Sequence, residues 1–149
     1  MHLTTAARGL LAALSDRVAR VERGAELVPG IVALPVPGHT AGHMALAAAS
    51  GEEHLLYLAD SVYAPIHCEH PEWYAPSGLR PAQLVTSRWR LLDQAVAEQA
   101  LVLAPRFTFP GLGRLAQVED AWRWQPLQLA AARGLAVAQT TPHGPLVTR

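Results

Sequence analysis

The 149-residue chain contains no lysine, no asparagine and only one cysteine, Cys68. Without asparagine it offers no acceptor for an N-linked glycan. A single thiol excludes an internal disulfide framework and any four-cysteine zinc module. No apolar run approaches the ~18 residues of a membrane span. The opening stretch MHLTTAARGLLAALSDR is interrupted too soon to read as a secretory signal. These absences predict a cytoplasmic protein that does not engage a membrane. Excess charge is also missing, since twelve arginines balance twelve acidic side chains. A phosphate-binding surface needs concentrated positive charge, so nucleic acid is not an expected partner. Aromatics are scarce at 6%, which leaves the core to aliphatic side chains.

What is present suffices for a fold. Half of the residues are hydrophobic, and a chain of this length buries about two-thirds of its unfolded surface. Leu10, Leu14, Val18 and Val21 recur at helical spacing while Arg17, Arg20 and Arg23 avoid that stripe. This predicts an amphipathic helix, capped by Thr4 or Thr5 and ended by Gly24. Ile31–Val36, Met44–Ala49 and His54–Ala59 read as strands, the last two joined as a hairpin through Ser50-Gly51-Glu52. Residues 60–80 read as irregular. Pro81 suits the first turn of a helix, and Leu84, Arg88, Leu91, Leu92, Ala95 and Val96 form its stripe. Ala100–Ala104 and Arg114–Val118 read as further strands, and WRWQP closes the domain. The remaining 23 residues, 127–149, read as an Ala-rich extension.

Two groups of residues have the right types for chemistry. In Pro37-Gly38-His39-Thr40-Ala41-Gly42-His43, a histidine sits on a Gly-flanked loop directly after a strand, held by rigid scaffold yet accessible. Asp60 ends another strand 21 residues later. If the two strands are sheet neighbours, an imidazole and a carboxylate converge at one edge, as in zinc sites. The second group is His67, Cys68 and His70. The ligand types suit zinc but the spacing is a weak signal, and Cys68 reads as a surface thiol. Gly111-Leu112-Gly113-Arg114-Leu115-Ala116 matches a dinucleotide-binding pattern. Strand-like sequence follows it where a helix is required, so it reads as a coincidence.

GIVALPVPGHTAGHMAL, LLYLADSV, HCEHPEW and RWRLLDQAVAEQALVLAPRFTFPGLG, in that order and spacing, resemble the C-terminal half of a metallo-β-lactamase-fold hydrolase. The resemblance runs from about Leu14 to Pro126 and is nearest to the glyoxalase- and lactonase-like branch. It implies an α/β fold, half of an αββα sandwich: a mixed sheet with helices on one face, spanning residues 1–126. It implies zinc as cofactor, a small-molecule ester, thioester or lactone as substrate, His39 as a zinc ligand and Asp60 as the bridging, catalytic aspartate. Thr40 and His43 match motif positions with a structural role.

The chain departs from the family pattern twice. The HxHxDH ligand motif is absent, and His2 is the only histidine before His39. Arg106 stands where the family has its last histidine ligand. A guanidinium stays protonated and donates no lone pair to a metal. Arg106 pairs with Asp60 in place of a metal, or clamps a substrate carboxylate or phosphate, or swings into solvent. The chain thus reads as a zinc hydrolase by ancestry with an incomplete metal site and no hydrolysis as an isolated chain. The alternative is a truncated or degenerate member serving as a binding or assembly module. A half-sandwich leaves a sheet face bare, so the expected partner is a second copy or a complementing N-terminal half. An in-frame HxHxDH upstream of Met1 would mark a misassigned start.

Overall fold

A computed structural model of the protein describes residues 2–74 and 80–128. The helices are α1 (His2–Ala13), α2 (Ile66–Glu69) and α3 (Pro81–Ala97), with a 3-10 turn at Ala59–Ser61. The strands are β1 (Glu26–Val28), β2 (Ile31–Pro35), β3 (Met44–Ser50), β4 (Glu53–Tyr57), β5 (Leu101–Leu103), β6 (Leu112–Val118) and β7 (Ala121–Pro126). They form one mixed sheet in chain order. All adjacent pairs are antiparallel except β4 and β5, which are parallel. A parallel pair cannot be joined by a tight turn, and α3 provides the long crossover it needs.

Register decides which side chains share a face. Ala47 lies opposite Leu56, and Leu56 beside Val102. This face receives the helices. Leu91, Leu92 and Ala95 of α3 and Cys68 of α2 form one cluster with Val36, Ala45, Leu56, Val102, Leu115 and Trp122. Trp122 is closed over by Trp89 at 5.1 Å, and Trp124 by Phe107 at 4.9 Å, both edge to face. The aromatics of the core thus gather at the β6–β7 end, and aliphatics fill the rest. Each fully buried Leu or Val there contributes about 1.5–3 kcal/mol.

The opposite face is also apolar. Ile31 lies opposite Ala48, Leu46 opposite Tyr57, Leu55 beside Leu101, and Leu103 opposite Leu112. None of the described helices packs on it, so among the described residues its side chains are shielded by their neighbours in the sheet. An apolar groove of about 410 Å³ opens there, lined by Ile31, Ala48, Leu55 and Leu101 among others.

Several expectations are revised. The N-terminal helix stops at Ala13, not Gly24, and Val18 and Val21 lie beyond it, both exposed. Leu10 and Leu14 stay exposed among the described residues, and a helix of that length is marginal without packing. β1 is too short and too exposed to leave a periodic signal. WRWQP is itself the edge strand β7. Within the irregular stretch, α2 forms a single helical turn. Gly111–Ala116 runs into β6, as befits a coincidental match. The extension from residue 129 onward lies outside the described residues.

Gly38 ties the loop after β2 to α3. Its φ is +136°, and an added Cβ would overlap the backbone of Leu84. Its carbonyl accepts the Arg80 N–H at 3.1 Å, at the start of α3. Gly38→Ala is therefore expected to cost about 2–4 kcal/mol, through both φ strain and a backbone clash. Urea unfolding checks this, and a loss under about 0.5 kcal/mol would show that the contact is not tight.

Candidate functional site

Sheet topology gathers the site. β2 and β4 are each antiparallel to β3, and β5 is parallel to β4. All three therefore end at the same sheet edge. His39, Asp60 and Arg106 follow those three ends. β2 and β4 are not adjacent, since β3 separates them. Shared direction brings His39 and Asp60 together, and direct neighbourhood does not.

Each loop is held by backbone bonds. The His39 loop closes through the Thr40 carbonyl, which accepts the N–H groups of Gly38 and His43, and through Val36 N–H donating to the His43 carbonyl at 2.9 Å. The Ser87 hydroxyl of α3 donates to the Pro37 carbonyl at 2.7 Å. Beyond β4, Leu58 N–H donates to the Leu103 carbonyl. The chain then turns sharply: Ala59, buried, adopts a φ of 49°. This left-handed conformation costs a non-glycine residue of order 1 kcal/mol, and such strain collects at functional sites. The turn presents Asp60. His43 Nε2 accepts the backbone N–H of Asp60 at 3.0 Å, which fixes one loop against the other.

The side chains form a continuous polar chain. Arg106 Nε donates to Asp60 Oδ1 at 2.8 Å. His39 Nε2 lies 3.6 Å from Asp60 Oδ2. His39 Nδ1 shares a 2.7 Å hydrogen bond with the Tyr63 hydroxyl. The Arg106 guanidinium returns over the Tyr63 ring, 5.6 Å from its centroid. The hydrogen bond from Arg106 holds the Asp60 carboxyl below its ordinary pKa, opposed by partial burial and helped by the Arg106, His39 and His43 charges. The same bond raises Arg106. Burial, then the Asp60 charge, pushes the Tyr63 phenol up, so it stays protonated.

These donors do not suit a catalytic zinc, which takes three protein ligands. One oxygen of Asp60 is committed to Arg106, and His43 Nε2 to a backbone amide. Only His39 Nε2 and Asp60 Oδ2 are left facing each other. Among the described residues no three His, Cys, Asp or Glu side chains converge as a metal site.

His67, Cys68 and His70 are not brought together. His67 Nδ1 accepts the Tyr63 N–H at 3.3 Å. His70 stacks on Trp73 at 4.3 Å. Cys68 is not a surface thiol: it is buried in the core, and burial pushes its thiol up to about 12. It is an inert packing residue.

The architecture has solved counterparts. AidC, a dizinc quorum-quenching lactonase solved with its product N-hexanoyl-L-homoserine, matches 83% of this chain with a TM-score of 0.76 and 25% identity. The hydrolase AbOPH of the β-lactamase superfamily matches 79% with a TM-score of 0.71 and 19% identity. An N-acyl homoserine lactone hydrolase with product at its catalytic metal centre matches 58%, with a TM-score of 0.51 and 26% identity. The chain shares the metallo-β-lactamase fold of these hydrolases and is similar to the lactonases among them. No family model matches the sequence, and no curated protein matches it closely. This metallo-β-lactamase-fold chain spans 42% of the length of AidC and of AbOPH and corresponds to their C-terminal portion.

Two residues of this metallo-β-lactamase-fold site escaped sequence reasoning. Tyr63 gave no signal beyond its place three residues after Asp60. Arg88 gave one: it lies on the apolar stripe of α3, where an arginine is out of place.

His43 and His67 both accept hydrogen bonds at ring nitrogens, so both are needed neutral. Burial lowers both from the ordinary 6.5; His39 lowers His43 further, and Asp60 partly offsets this. As pH falls below about 6.5 the unfolded chain takes up protons that the folded chain resists. Stability is thus full above that pH and declines on acidification. The urea midpoint should be lower at pH 5.5 than at 7.5, with a smaller difference in His43→Gln. A midpoint constant across that range would contradict the assignment.

Proposed function

We propose that this chain is a metallo-β-lactamase-fold module in which metal hydrolysis has given way to binding and assembly. The observation that supports the reading is the Arg106 guanidinium on the Asp60 carboxylate. It places a positive charge where the family resemblance puts a metal. A guanidinium does not coordinate water or lower its pKa, so hydrolysis of the zinc type has no activated nucleophile here. Only Nε of Arg106 is engaged among the described residues. Its terminal nitrogens suit a carboxylate or phosphate group of a small molecule.

Assembly is the second part of the proposal. The apolar face that no described helix covers is contiguous across β2 to β6, and such faces mark interaction surfaces. A second copy, or a separate chain with the other half of a sandwich, would cover it. Light scattering at micromolar concentration should give a mass above that of one chain, with dissociation in Leu46→Glu/Leu55→Glu. A monomeric wild type would contradict it.

A second reading has support of its own. His39 Nε2 and Asp60 Oδ2 face each other at 3.6 Å, and the 25–26% identical counterparts are lactonases. Zinc-dependent hydrolysis of an ester, thioester or lactone would then need further ligands from another polypeptide.

Metal analysis after zinc incubation and dialysis separates the readings. Wild type should retain far less than one zinc per chain. Arg106→His removes the competing cation and adds a ligand, and should raise the content toward one. Stoichiometric zinc in wild type would overturn the proposal, and no gain in the variant would show that position 106 is not a lapsed metal position.

A further inference from the structure

Residues 61–73 pass from the Asp60 turn toward α3 with no strand partner, so their carbonyls have no ladder to join. Three of them converge on one side chain. Arg88 of α3 is fully buried, at 0% exposure. Its Nε donates to the Ser61 carbonyl at 2.8 Å, and Nη1 donates to the Pro71 and Trp73 carbonyls at 2.7 and 2.5 Å. Every one of these acceptors is neutral, and Nη2 has no partner among the described residues. Burial lowers the guanidinium from its ordinary value, yet arginine remains charged in proteins.

A buried cation hydrogen-bonded to neutral carbonyls is a costly way to fill a core, and well-packed apolar residues are often as good or better. Its advantage lies elsewhere. The planar fork satisfies carbonyls at both ends of an irregular segment at once, which neither an apolar side chain nor a single ammonium can do. Ser61 is the residue after Asp60, and Tyr63 lies between the two anchored ends. The adjacent Ser87 holds the other site loop through the Pro37 carbonyl. One turn of α3 therefore anchors both loops.

We infer that Arg88 is a positioning residue for this site: by gathering the Ser61, Pro71 and Trp73 carbonyls it sets where Tyr63 meets His39 and where Asp60 meets Arg106. The inference needs only the geometry of the site and stands whether or not the site binds an anion or a metal.

The test reads the Tyr63–His39 hydrogen bond by side-chain ¹⁵N NMR, with His39 assigned through His39→Gln. Tyr63→Phe supplies the spectrum without the bond. Arg88→Met and Arg88→Lys should shift the His39 signals to the Tyr63→Phe position. Leu92→Ala, an equally buried change on α3, should lower the thermal midpoint without moving them. His39 signals unchanged in either Arg88 variant, or moved as far by Leu92→Ala, would overturn the inference. Should the Arg88 variants not fold, hydrogen exchange in wild type decides. The Tyr63 amide and the Arg88 Nε–H should then open together under mild denaturant, and a Tyr63 amide exchanging freely while Arg88 stays protected would overturn it.

Discussion

The parallel pairing of β4 with β5 is the constraint on which the rest depends. It forces a crossover, and the crossover is α3, whose buried stripe closes the core over one sheet face. It also aligns β5 with β4, which shares the direction of β2 because both run antiparallel to β3, so the loops after all three share one edge. Binding groups collect at strand C-termini in other sheets with parallel strands for the same reason. His39, Asp60 and Arg106 are 21 and 46 residues apart in succession, yet direction alone makes them neighbours. α3 then serves twice, as core element and as anchor for both site loops through Ser87 and Arg88.

The Asp60–Arg106 pair matters for what it occupies more than for stability. Arg106 is about half exposed, and ion pairs of that kind contribute little to stability. Its effect is on chemistry. One carboxylate oxygen is taken, the local charge is neutralised, and the guanidinium is oriented by the Tyr63 ring. His39, bonded to Tyr63 through Nδ1, faces the second Asp60 oxygen at 3.6 Å.

Much of this was legible in the sequence because the signals were local. Gly and Pro bracket β2, the Ser50-Gly51-Glu52 turn defines the β3–β4 hairpin, and the Pro81 start with its apolar stripe marks α3. The family resemblance supplied the sheet edge and the placing of Arg106 beside Asp60. What escaped was set by tertiary context. β1 exists only because β2 offers it an edge. α1 ends at Ala13, and its apolar stripe stays uncovered among the described residues. Cys68 looked like a surface thiol beside two histidines, but the single turn of α2 rotates it into the core. Arg88 was visible on the stripe of α3, yet only the structure reveals the irregular carbonyls that require it.

The central claim is that Arg106 holds the Asp60 carboxylate as a metal would. Carboxyl ¹³C NMR titration of Asp60 tests it most directly. In wild type the group should titrate below the ordinary 3.8, and in Arg106→Gln its pKa should rise, because the largest lowering influence is gone while partial burial remains. An Asp60 pKa that is the same in both proteins would contradict the account.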